Sequence, residues 1–152
     1  MKEITSRSLA DTKTFAESLL KRLVEAPRKG AAVLALYGNL GAGKTALTKE
    51  LALFLGVKDT VNSPTFILEK IYKVKHPVFE RLVHIDAYRL EEPQELSHLG
   101  FTELAADGGN LIVVEWAEQV EGLIPETALR VHAEFIDEST RHFHIHDQER
   151  RS

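Results

Sequence analysis

Apolar residues fall along this chain in two rhythms. From residue 12 to residue 24, Phe15, Leu19, Leu20, Leu23 and Val24 recur at the spacing of one helical face. Asp11 or Thr12 stands where a cap belongs, and Pro27 and Gly30 mark the end of that helix. The next run, Ala31 to Tyr37 (AAVLALY), is apolar without alternation and flanked by glycines, the pattern of a short strand buried on both faces. A glycine-rich stretch follows. From Thr45 (TALTKELALFLG), Leu47, Leu51, Phe54 and Leu55 return to helical spacing, and Gly56 stops the helix. After Asn62-Ser63-Pro64, the segment Thr65 to Val74 (TFILEKIYKV) is rich in aromatic and β-branched residues and predicts a strand or hairpin arm. Leu82 to Asp86 (LVHID) and Leu111 to Glu115 (LIVVE) are two more short apolar runs, each ending at a carboxylate, with a helix predicted between them over Pro93 to Leu104. Leu129 to Ile136 and Arg141 to Asp147 predict a strand pair joined by the polar turn Asp137 to Thr140. No internal repeat or low-complexity segment interrupts the pattern.

Length and composition narrow the class. At 152 residues, 43% hydrophobic and 28% charged, the chain reads as one globular domain over residues 1–152. A net charge of −4 gives the surface no bulk attraction for phosphate polyanions, so any RNA is expected to be held by other proteins. The chain has no cysteine, which excludes disulfides and thiolate chemistry and fits a reducing compartment. Met1 to Leu20 mixes Lys2, Glu3, Arg7, Asp11 and Lys13 among short apolar stretches, unlike a signal peptide, and no run approaches the about 18 apolar residues of a membrane span. The expectation is a soluble cytoplasmic protein without a membrane segment.

The glycine-rich stretch carries the chemistry. Gly38-Asn39-Leu40-Gly41-Ala42-Gly43-Lys44-Thr45 fits the phosphate-loop pattern G-x-x-x-x-G-K-[ST]. Its glycines allow backbone geometries that a Cβ obstructs, so that main-chain N–H groups close around phosphate oxygens. The positive end of the following helix adds to the attraction, Lys44 brings a full charge to the β- and γ-phosphates, and the Thr45 hydroxyl is placed to ligate Mg²⁺. A predicted strand before the loop and a predicted helix after it supply the context the motif requires. ATP or ADP with Mg²⁺ is the expected ligand.

Two carboxylates compete to complete the metal site. Glu115 ends an uninterrupted apolar run and should emerge at the carboxyl edge of a buried strand beside the phosphate loop; Asp86 ends LVHI in the same way. Either is suited to hold Mg²⁺ directly, to act through a metal-bound water, or to orient the attacking water, and the spacing alone does not divide these roles. An ion pair with a neighbour such as Arg89 is the structural alternative for each. Thr65, after Ser63-Pro64, is a candidate switch residue sensing the γ-phosphate, although Ser-Pro-Thr is also a common entry to a strand. His142, His144 and His146 alternate with Phe143 and Ile145 and so share one strand face. No neighbouring Cys or carboxylate arrangement completes a zinc site there, and a solvated face is the better reading. Trp116 is either a core anchor or a surface aromatic for a partner, with the balance toward the partner.

Taken together, GNLGAGKT, Ser63-Pro64-Thr65-Phe66, His84-Ile85-Asp86-Ala87-Tyr88-Arg89-Leu90, Glu95-Leu96 with Leu99-Gly100, and Glu115-Trp116 resemble the TsaE family, also called YjeE, in order and spacing over about Thr12 to Pro125. The resemblance implies a small bacterial P-loop ATPase needed for the threonylcarbamoyladenosine modification of tRNAs that read codons starting with A. In that family the carbamoyl transfer belongs to TsaD with its partner TsaB. The family member binds this pair and hydrolyses ATP to reset it, with little activity alone, and meets tRNA only through the complex. Carried over to this chain, the resemblance makes Lys44 the phosphate clamp, Thr45 and Glu115 the Mg²⁺ ligands, Asp86 essential for hydrolysis or a water-mediated metal contact, and Thr65 the switch. It also sets Trp116 close to the nucleotide. Two positions depart from the family pattern: Ala46, where many members have a second Thr, and Asn39, where many have an acidic residue.

Three rivals remain at the level of sequence. A small-molecule kinase shares the loop but needs an acceptor pocket and usually an arginine-bearing lid, and Glu91 to Glu95 is acidic where that lid would be sought. A guanine-nucleotide switch would normally carry N-K-x-D, which this chain lacks. A non-hydrolysing nucleotide-binding subunit has no evident need for both Asp86 and Glu115. For the fold, the elements predict a single-domain P-loop NTPase three-layer α/β sandwich. Its mixed sheet would have parallel strands near the loop and antiparallel additions from Thr65 to Val74 and from the C-terminal pair.

Overall fold

The computed structural model describes residues 3–39, 41–58, 61, 69–88, 90, 92 and 94–146. The elements in chain order are β1 (Glu3–Ser6), α1 (Leu9–Glu25), β2 (Ala32–Tyr37), α2 (Lys44–Phe54), β3 (Glu69–Lys73), β4 (Arg81–Asp86), α3 (Gln94–His98), α4 (Phe101–Ala106), β5 (Asn110–Glu115), a 3₁₀ helix (Ala117–Leu123), β6 (Leu129–Asp137) and β7 (Thr140–His146). The strands form one sheet in the order β1-β7-β6-β2-β5-β4-β3. β2 pairs parallel with β5 and β6, and β4 parallel with β5; β3, β7 and β1 are added antiparallel at the two sides. This is the mixed sheet expected from the sequence.

Strand alternation divides the core into two layers. Ala32, Leu34 and Leu36 of β2 face α1 and α2, where they join Phe15, Leu19, Leu47, Leu51 and Phe143. Val33, Ala35 and Tyr37 face the other way, toward Leu96, Phe101, Ala117 and Val120. Every residue of β2 and of β5 is buried, which explains why both strands read as unbroken apolar runs rather than as alternating ones.

Three elements differ from expectation. α1 is capped by Ser8, not by Asp11 or Thr12: the Ser8 hydroxyl accepts from Asp11 N at 3.1 Å, and Asp11 Oδ2 accepts from Arg7 N at 3.0 Å. The true first turn carries an exposed Leu9, so apolar periodicity began one turn late. The predicted helix Pro93 to Leu104 is two short helices, because Gly100 adopts φ +83 between them. A left-handed residue closes one helix and cannot continue it. β1 was not predicted at all; it is four residues long and anchored to the core through Ile4.

β2 lies in the middle of the sheet, and its carboxyl end opens directly into the phosphate loop. The strand carrying Glu115 is on one side and β6 is on the other. A crevice at that edge is where open α/β sheets bind ligands.

Candidate functional site

The loop between β2 and α2 is shaped by three glycines with positive φ: Gly38 (+137), Gly41 (+80) and Gly43 (+99). At Gly38 an added Cβ would lie 2.2 Å from the carbonyl oxygen of Ala133, so β6 closes against the entry of the loop. At Gly43 it would meet Arg141 Cγ at 3.2 Å and Phe143 Cζ at 3.3 Å, so β7 braces the exit. Gly43 is the N-cap of α2 and, being glycine, adds no side-chain cap there. Ala42 is buried and donates N–H to Asn39 O at 3.1 Å, whereas Asn39, Gly41 and Ala46 are exposed. Leu40 lies outside the described residues.

Lys44 is buried at the floor of the loop. Its ammonium donates to Gly38 O and, at 3.3 Å, to Asn39 O, and sits 3.7 Å from the centroid of the Trp116 ring. Burial pulls its pKa below the usual lysine value, and the carboxylates of Glu118, Glu115 and Asp86 counter that pull. The loop's own carbonyls and an aromatic face thus hold a cation that a phosphate would satisfy better.

Thr45 and Glu115 meet across the loop: the Thr45 hydroxyl donates to Glu115 Oε1 at 2.9 Å. Glu115 is buried, and its Oε2 is hydrogen-bonded to His84 Nε2. Asp86 is the register partner of Glu115 on the adjacent parallel strand, so both carboxylates emerge side by side at the carboxyl edge of the sheet. Asp86 Oδ1 accepts from Tyr88 N at 2.9 Å. A hydroxyl and carboxylates in this arrangement form the hard oxygen set that suits Mg²⁺, and the loop's geometry fits a phosphate. Thr65 and Arg89 lie outside the described residues.

Trp116 follows Glu115 in a left-handed conformation (φ 60, ψ 43) and is half-buried, packed on the second core layer while its ring meets that of Tyr88 at 4.7 Å with the planes tilted by 43°. It faces the lysine and the exposed Tyr88 together. His142, His144 and His146 occupy the face of β7 opposite the buried Phe143 and Ile145. Among the described residues no group of three or more His, Cys, Asp and Glu is arranged to hold a metal ion.

Sequence reasoning had assigned no role to several neighbours of the loop. Glu118 Oε2 accepts the Gly38 N–H at 3.2 Å, and Tyr37, at the end of β2, donates to Glu121 Oε2. Arg130 Nε donates at 3.2 Å both to Tyr37 Oη and to Glu121 Oε1. His84 was legible in principle: a polar residue two positions before Asp86 in an apolar strand must share its face.

Sheet order, glycine loop and acidic strand end define the class, a P-loop α/β sandwich. The family model described as "Threonylcarbamoyl adenosine biosynthesis protein TsaE" matches residues 6–143. This chain belongs to the TsaE family. The tRNA threonylcarbamoyladenosine biosynthesis protein TsaE of Rickettsia prowazekii is 37% identical over 145 residues, 95% of this chain and 94% of that protein. Its namesake from Bacillus subtilis is 37% identical over 131 residues, 86% and 77% of the respective chains. The crystal structure of Bacillus subtilis YdiB is similar with a TM-score of 0.69 and 29% identity, covering 94% of this chain and 82% of that one. Among the described residues no helix is long and apolar enough to cross a membrane.

Proposed function

We propose that this chain binds ATP with Mg²⁺ at the loop Gly38 to Thr45 and hydrolyses it. Hydrolysis would support the TsaB and TsaD proteins in forming the threonylcarbamoyl group on adenosine of tRNAs that read codons starting with A. The observation that carries this reading is the 2.9 Å contact between the Thr45 hydroxyl and the Glu115 carboxylate beside a buried Lys44.

The division of labour follows from the chemistry of each group. Loop N–H groups and the α2 N-terminus receive phosphate oxygens, and Lys44 exchanges two backbone carbonyls for the β- and γ-phosphates. Thr45 and Glu115 would hold Mg²⁺, whose charge would offset that of the phosphates. Asp86, held by the Tyr88 N–H and adjacent to Glu115, orients the attacking water or contacts the metal through one. Thr65 serves as the γ-phosphate switch. The partner pair raises the rate, and tRNA is met only through that pair, in keeping with the acidic net charge of −4.

The test is Mg²⁺-dependent ATP hydrolysis by the purified chain, alone and with the TsaB and TsaD proteins of the same organism. The expected result is slow turnover alone, a rise on adding the pair, and loss of both in Lys44→Ala. ATP binding with no response to the pair would remove the partner assignment; no binding would remove the whole reading.

A further inference from the structure

His84 stands in the middle of β4 with no solvent exposure, on the strand face it shares with the buried Leu82. An apolar side chain would fill that place without a polar atom to satisfy. Its Nδ1 is buried with no hydrogen-bond partner among the described residues. Leaving such an atom unsatisfied carries its full desolvation penalty, so packing alone gives no reason for an imidazole here. The other ring nitrogen supplies one. Nε2 is bonded to Glu115 Oε2, while Oε1 of the same carboxylate accepts from Thr45 at 2.9 Å. An ionised carboxylate oxygen only accepts, so the hydrogen of this bond is on Nε2 and His84 is the donor to Glu115.

The terminal torsion of a free glutamate is broad and nearly two-fold. Here both oxygens are tied, and the one nearer α2 is turned to the Thr45 hydroxyl. We propose that His84 is a positioning residue that fixes Glu115 so that Oε1 is presented, together with Thr45, to a divalent cation. This rests on the reading above that Thr45 and Glu115 hold Mg²⁺. His84 itself touches neither metal nor nucleotide; it acts through the carboxylate, as partners of metal-ligating groups commonly do.

The test measures nucleotide binding by calorimetry across a Mg²⁺ titration, with metal-free ADP binding as the control, for the parent chain, His84→Gln and His84→Asn. A glutamine amide reaches the place of Nε2; an asparagine amide stops near that of Nδ1. For Asn, the Mg²⁺ needed for half-maximal ATP binding should rise about 10–100-fold, the usual loss when a metal ligand's partner is removed. Metal-free ADP affinity should be unchanged, and Gln should restore most of the loss. Parent-like Mg²⁺ dependence in Asn, or equal weakening of metal-free ADP binding, overturns the positioning role. ATP binding by the parent chain that ignores Mg²⁺ overturns the metal reading beneath it. Should neither variant fold, nitrogen-15 resonances of the parent chain decide: the His84 Nε2–H signal should move when Mg²⁺ joins the ATP complex, and an unmoved signal overturns the proposal.

Discussion

At the scale of single residues, the proposed function separates binding from chemistry. Lys44 would belong to both, because it is the buried charge of the loop, whereas Glu115 is bonded to Thr45 and His84. Glu115→Ala should therefore reduce Mg²⁺-dependent turnover far more than metal-free ADP affinity; equal losses in hydrolysis and in calorimetric metal-free ADP binding would remove its assignment as a mainly catalytic ligand. A second residue reports on the wall behind the loop. Burial, and then the hydrogen bond to Glu121, push the Tyr37 phenol from 10.0 up to about 12. The folded protein keeps this proton where the unfolded chain has lost it. The resulting stabilisation is complete below about pH 10 and disappears as pH rises from 10 to 12. Its full size is about 3 kcal/mol for two units of pKa. Urea unfolding of the parent chain and of Tyr37→Phe should show a stability gap that narrows over that window, and a constant gap would mean that Tyr37 ionises as it does in the unfolded chain.

At the scale of elements, each misread boundary has a local cause. Gly100 was visible, but a single glycine within a helical pattern only weakens the helix, and the sequence does not reveal that its φ is +83. Ala there must adopt the left-handed conformation, so Gly100→Ala should lower unfolding free energy by about 1–2 kcal/mol, measured by urea titration. An unchanged midpoint would show that α3 and α4 tolerate fusion. The central strands were legible because burial on both faces leaves apolar runs that end at carboxylates, as in LIVVE and LVHID. The glycine loop was legible because Gly38, Gly41 and Gly43 recur at short spacing between a strand and a helix. The Tyr37, Glu121 and Arg130 network was not, since Tyr37 lies 84 and 93 positions from its partners and no local pattern links them. His84 entered only as part of the resemblance, and its pairing with Glu115 was not legible because the two lie 31 positions apart.

At the scale of the whole molecule, the central strand is paired only with segments that arrive much later in the chain. β2 ends at residue 37, while its neighbours are β5 at 110–115 and β6 at 129–137. The entry of the loop is closed by Ala133, and its exit is braced by Arg141 and Phe143. Parallel pairing across such separations requires large loops to close before any contact rewards them, which slows folding. Helix α2, by contrast, needs only its own neighbours to begin forming. In stopped-flow refolding from urea, helical signal should return before the capacity to bind ADP, and that capacity should appear with the slowest phase. Recovery of ADP binding together with the first helical signal would contradict this order. A chain that has not yet brought residue 133 to residue 38 can hold a helix, but it has no cradle at the end of it.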